Sequence, residues 1–208
     1  MAIDIEVSPL TGTEPELGVL EAIRTRRSIG VVRPERPPRQ AIETMIEAAT
    51  TAPNHRLTEP WRFFVLAGEA RTDFGHACAE AQAVRRADGE IENLAAYQAA
   101  MNKPLRAPVI VAVAVEPVVG PKIEEIEEIA AGAAAIENML LVAHALGLGA
   151  IWRTGSPAYD PAVKAFFGLA PTASILGFVY VGYPAIVPEP RRRRNAAELT
   201  RWFGWDDA

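Results

Sequence analysis

The stretch EEIEEIAAGAAAIENMLLVAHAL, residues 124–146, decides the fold. Glu124, Glu125, Glu127 and Glu128 crowd its first turns, where the positive end of a helix dipole favours acids. Beyond Glu128 only Glu137 is formally charged, and Gly147 supplies a stop. A helix apolar on nearly every face must be covered nearly all round. In a chain of 208 residues, a second subunit is a natural part of that cover.

Outward from this helix, three runs read as strands. WRFFVLA (Trp61–Ala67) is rich in aromatic and branched residues, APVIVAVAV (107–115) is uninterruptedly apolar, and SILGFVYVG (Ser174–Gly182) is the last strong one. GAIWRT (149–154) adds a short strand. Helices are expected over 16–26, from Pro38 to about Thr51, over 69–86 and 90–101, from Asp160–Pro161 to Gly168, and over 195–203. Alternation of helices and strands points naively to a parallel sheet, although two-helix connections join antiparallel neighbours equally well. The whole chain, 1–208, reads as one domain, with residues 1–15 an N-terminal arm and 183–208 a proline-punctuated, basic C-terminal extension.

Composition narrows the function. Half of the residues are hydrophobic and 23% charged, the balance of an ordinary globular chain. A net charge of −5 argues against a general nucleic-acid or anionic-membrane binder. The one cysteine, Cys78, excludes an intrachain disulfide and disfavours a thiolate zinc site. His55, His76 and His144 lack metal-ligand spacing, so no metal is expected. Asp4 and Glu6 stand where a secretory leader wants basic residues, and no apolar stretch is long enough to span a bilayer. The expectation is a soluble, cytoplasmic protein. There is no phosphate-loop motif, no G-x-G-x-x-G fingerprint and no G-x-S-x-G elbow.

Three segments carry chemistry. Arg24-Thr25-Arg26-Arg27-Ser28 offers guanidiniums and a hydroxyl at a helix end: either a cradle for phosphate or a solvated basic face complementing the helix C-terminus. Residues 52–64, APNHRLTEPWRFF, form a proline-bounded loop feeding a strand. The loop either aims Asn54, His55 and Thr58 at a polar ring edge or merely stiffens a turn. Residues 147–155, GLGAIWRTG, either let backbone approach a ligand or form a glycine helix stop and an ordinary strand.

In this order, Arg26-Arg27-Ser28, Ala52 to Phe64 and Gly149 to Gly155 resemble the nitroreductase family of FMN-dependent oxidoreductases, over roughly residues 18–204. The resemblance is to the small subgroup with R-R-S, A-P-[ND]-H…P-W-R-F-F and G-x-I-W-R-[ST]-G segments. It implies an α+β fold, a mixed and mainly antiparallel sheet flanked by helices, in an intertwined homodimer with exchanged C-terminal extensions. It implies noncovalent FMN at the subunit interface, with Arg26, Arg27 and Ser28 on the phosphate and pyrimidine side. Pro53, Asn54 and His55 would come from the other subunit, Trp152, Arg153 and Thr154 would lie beside the ring, and Arg193 of the run 191–194 would complete the phosphate site. Glu59 stands where some members carry Gln, and a carboxylate cannot donate to a flavin carbonyl, so no direct flavin role is assigned to it.

No side chain is expected to be catalytic, since flavin N5 is the reacting centre. The implied activity passes a hydride from NAD(P)H to a small electron-poor acceptor such as a nitroaromatic or quinone. The alternatives are a flavoenzyme of the same fold with one specific substrate, and a non-catalytic flavin-binding sensor.

Overall fold

The computed structural model describes residues 18–84, 86–189 and 192–205. The N-terminal arm and Arg191 lie outside the described residues. Helix α1 (Val19–Thr25) leads to α2 (Arg39–Thr50), for which Pro38 is the residue before the first turn. Strand β1 (Trp61–Ala67) follows, then α3 (Ala70–Ala81) and α4 (Leu94–Asn102). The chain continues through β2 (Val109–Val115), α5 (Glu125–Ala145) and β3 (Gly149–Arg153). Two short helices, α6 (Ser156–Tyr159) and α7 (Pro161–Phe166), precede β4 (Ser174–Gly182).

The strands form one sheet in the order β1-β2-β4-β3, and every neighbouring pair is antiparallel. This corrects the naive parallel reading. The two-helix connections α3–α4 and α6–α7 each return the chain in the opposite direction to an antiparallel position. Strands β2 and β3 both run against β4, so they are parallel to each other, and α5 is the crossover between them with β4 inserted in the gap.

Helices cover both faces, which is why β2 is apolar at every position. Val109, Val111 and Val113 join Val179, Val181, Trp61 and the buried stripe of α5 and α2. Ile110, Ala112 and Ala114 join Phe74, Cys78, Phe178 and Tyr180 under α3 and α7. Asp160 caps α7 by accepting from the Ala162 N–H, and Gly168 ends the segment at φ +67°. Three expected helices are shorter than their sequence suggests. The segment 69–86 is helical only over Ala70–Ala81. The segment 90–101 begins its helix only at Leu94, where the Asn93 side chain accepts from the Ala96 N–H. The segment 195–203 winds only one 3₁₀ turn, Ala196–Leu199.

Candidate functional site

The site forms where the segment after α1 meets the edge strand β3. Helix α1 stops at Arg26, and Arg27 Nη1 donates to the carbonyls of Arg24, Thr25 and Arg26, each at 2.9 Å. These carbonyls have no partner inside the helix, so the guanidinium is a C-terminal cap. The chain then extends alongside the sheet: Ile29 N–H donates to Ala150 O, Arg33 N–H to Tyr183 O, and Ala185 N–H to Val31 O. Its seat is made by two glycines paired across β3 and β4, Gly149 and Gly182. A Cβ on Gly149 would stand 2.9 Å from Ile29, and one on Gly182 would stand 2.9 Å from Val32. Gly149 is therefore small to admit Ile29, not a ligand.

This docking sets Arg26, Arg27 and Ser28 beside Ile151, and the C-terminal extension closes the space with Pro188, Glu189 and Arg193. The cavity they line measures about 340 Å³. Four of the expected residues thus converge within one chain. Arg26 Nε lies 3.3 Å from Glu137 Oε1 in an ion pair, whereas Arg27 Nε is buried without a hydrogen-bond partner. Unsatisfied buried N–H donors are rare and call for an acceptor. Three guanidiniums, a hydroxyl and one unspent buried donor suit a phosphate ester, the group the resemblance implied at this position.

On the other side of Ile151 lies a cavity of about 570 Å³. Backbone and side chains from Ile151 to Pro157 form one wall, Phe74, Phe178 and Tyr180 another, and Lys103, Arg106 and Arg153 bring positive charge. Trp152, Arg153 and Thr154, which the resemblance sets beside a flavin ring, all line this cavity. A bulge in β4 positions the indole: Leu176 is the extra residue between the pairs Val113–Gly177 and Ala114–Ile175, and its carbonyl accepts from Trp152 Nε1 at 2.9 Å. Gly177, at φ +144°, packs directly against that indole. Gly155, at φ +129°, turns the chain at the cavity wall. Burial pushes the Tyr180 phenol and the Cys78 thiol each up to about 12, so both stay protonated and Cys78 is no nucleophile.

Pro53, Asn54 and His55 are not part of either cavity in the same chain. They precede β1, at the opposite edge of the sheet from β3. Their loop is held from within. Asn54 Oδ1 accepts from the Glu59 N–H at 3.1 Å, and the Thr58 hydroxyl donates to Glu128. Thr58 is therefore turned toward α5 and not toward a ring edge. Glu128 was read from sequence as one more dipole-favoured acid, yet it is 1% exposed and also accepts from the Val118 N–H at 3.2 Å. The helical stripe 128-131-132-135-136-139 could have revealed it, since every other member is small or apolar. Burial, aided by the nearby Arg26 and Arg27 charges, holds the His144 imidazole below its usual 6.5, and its Nε2 sits 2.8 Å from the Thr25 hydroxyl.

Fold and cavities together define an α+β chain with a cationic cofactor-sized cleft at the edge of an antiparallel sheet. The model of the Nitroreductase family matches residues 23–183, and the chain belongs to that family of oxidoreductases. It is 30% identical over 181 residues to YdjA of Escherichia coli K12, provisionally designated an NAD(P)H nitroreductase, covering 84% of this chain and 96% of that protein. A nitroreductase-like protein from Bacillus cereus superposes with a TM-score of 0.80 at 24% identity, covering 93% of this chain and all of the other. A provisionally assigned nitroreductase from Desulfovibrio desulfuricans, solved in complex with FMN, gives a TM-score of 0.68 at 29% identity over 92% of this chain and all of the other.

Proposed function

We propose that this chain is one subunit of an FMN-dependent oxidoreductase dimer that passes a hydride from NAD(P)H to a small electron-poor acceptor, nitroaromatics and quinones being the expected class. The observation that carries this reading is the convergence of Arg26, Arg27, Ser28 and Arg193 on one cavity, continued past Ile151 by the Trp152–Gly155 wall. The FMN bound to the Desulfovibrio relative and the NAD(P)H designation of the Escherichia coli relative support it. When bound, FMN supplies the hydride chemistry at N5, and the protein supplies binding, orientation and charge. Arg26, Arg27, Ser28 and Arg193 hold the phosphate end; Trp152, Arg153 and Thr154 flank the ring. In this reading both substrates use the same aromatic-walled cavity in turn.

Pro53, Asn54 and His55 reach the site from the second subunit, which fits their position at the far edge of the sheet. Apolar surface supports the dimer. Val19, Leu20 and Ile23 of α1 are 74, 66 and 54% exposed, and Trp202, Phe203 and Trp205 of the C-terminal extension are 70, 88 and 73% exposed. Exposed apolar groups in such numbers mark an interaction surface.

The test is steady-state kinetics with NADH or NADPH against a nitroaromatic and a quinone. Because both substrates use one slot, double-reciprocal lines at several fixed acceptor concentrations should be parallel. Intersecting lines would demand a second binding site, and absence of turnover with every pair would contradict the activity.

A further inference from the structure

Of Arg26, Arg27 and Arg153, Arg153 is the one whose side chain serves neither a carboxylate nor a capped carbonyl among the described residues. Arg26 faces Glu137, and Arg27 caps α1. Arg153 Nε is buried without a hydrogen-bond partner, and the side chain enters no ion pair among the described residues. Its guanidinium lies over the Tyr180 ring, 5.7 Å from the centroid, and Tyr180 stays a neutral phenol beneath it. A half-buried cation without a counter-charge carries part of that desolvation cost, and a fold tolerates one most readily where a ligand brings the anion.

Room for this side chain comes from an unexpected place. A Cβ on Gly30 would stand 2.9 Å from Arg153 Nη2. Gly30 lies two residues beyond Ser28, on the same extended segment that delivers Arg26, Arg27 and Ser28 to the phosphate cavity. The Arg153 head group thus occupies the space that any side chain at position 30 would take. That space adjoins Ile151, the residue shared by both cavities. The larger cavity, with Lys103 and Arg106 besides Arg153, has no carboxylate in its lining.

Resting on the FMN reading above, we infer that Arg153, admitted by the missing side chain of Gly30, is the cation that stabilises the negative charge of reduced FMN. Hydride addition brings two electrons and one proton to the ring, so one negative charge remains, spread over N1 and the C2 carbonyl. A pre-placed guanidinium favours that form over the neutral oxidised one, which Arg27, already committed to the α1 carbonyls, is less free to do. Arg153 therefore acts on the difference between the two redox states, and Arg27 acts on both alike.

The experiment measures FMN affinity in both redox states and the two-electron potential, by equilibration with a reference dye, for the holoprotein and four variants. Arg153→Gln should weaken binding of reduced FMN about tenfold more than oxidised FMN, a ratio equivalent to a potential about 30 mV lower. Gly30→Ala should move the potential in the same direction with Arg153 intact, because its Cβ displaces Nη2. Arg153→Lys should keep most of the parent potential, and Arg27→Gln should weaken both states equally. If Arg153→Gln does not fold, Gly30→Ala and Arg153→Lys answer the same question. Equal weakening of both redox states by Arg153→Gln, or a parent-like potential in Gly30→Ala, would overturn the inference while leaving FMN binding intact. A parent protein that takes up no FMN would instead remove the cofactor reading beneath it.

Discussion

Replacing Glu128 should loosen the loop that precedes β1. Within six residues this loop holds three non-glycine residues in the left-handed region: Arg56 at φ 60°, Leu57 at φ 53° and Glu59 at φ 47°. At ~1–2 kcal/mol each, the conformation stores roughly 3–6 kcal/mol of backbone cost. It persists only where neighbouring contacts over-determine it. Glu128 supplies two of these contacts, accepting from the Thr58 hydroxyl and from the Val118 N–H. Hydrogen bonds to a charged group contribute ~1.5–3 kcal/mol each. Water can reach the half-buried Thr58 hydroxyl once the carboxylate is gone, so Glu128→Ala should cost about 3 kcal/mol in all. That is comparable with the stored strain, and the loop should relax. Glu128→Gln retains an acceptor for Val118 and a donor for the Thr58 oxygen, and should cost about 1 kcal/mol. Urea unfolding at one fixed protein concentration reads both values. A chain of this length should lose ~2–4 °C in Tm per kcal/mol, so about 6–12 °C for the alanine variant. FMN affinity should fall alongside, since His55 sits on the same loop. An alanine variant within 0.5 kcal/mol of the parent, or one as costly as glutamine, would refute the tethering role.

Arg27→Ala should weaken FMN binding by about one to two orders of magnitude through loss of one charge-assisted contact, and should also fray the end of α1, visible as faster amide exchange at Thr25 and Arg26. Arg86→Ala, at an exposed position, should leave both unchanged. The depressed His144 pKa means that the unfolded chain binds its proton more readily than the folded one. Its contribution to stability is therefore fully present above about pH 6.5 and lost as pH falls below that value. His144→Gln should flatten that part of the stability-versus-pH curve, and an unchanged slope would contradict the assignment. Deleting Tyr183–Ala208 removes Arg193 and the exposed Trp202, Phe203 and Trp205, so the truncated chain should lose both FMN and dimer by ultracentrifugation. A monomer that retains flavin would show that the extension serves neither.

Strand limits were legible where side-chain chemistry changes abruptly. Pro60 and Gly68 bracket β1, and Gly182 ends β4, so both strands run as their aromatic and branched residues suggested. Helix α5 was legible from its acidic start and Gly147 stop. Strand direction was not, because an all-apolar run such as β2 records only that both faces are covered. The sequence also hid contacts that depend on register between distant segments. Gly149 looks like an opening for a ligand until Ile29 is seen lying on it. Gly30 carries no signal of its own, since its meaning lies in the Arg153 head group on another strand. Glu128 was masked by three exposed acids in the same turns. The segment 195–203 suggested a helix, but its Leu199, Trp202 and Phe203 remain exposed within one chain and only one 3₁₀ turn forms. The arginine-serine segment and the Trp152–Gly155 strand end were legible as chemistry, and the fold explains how they meet across Ile151.

The most direct test of the cofactor reading is the visible absorption spectrum of the purified protein, followed by anaerobic titration with NADH and with NADPH. The account predicts a yellow protein with one noncovalent FMN per chain, bleached by at least one of the two nucleotides and recoloured by a nitroaromatic or quinone. A colourless protein that takes up no added FMN, or a bound flavin that neither nucleotide can bleach, would contradict it.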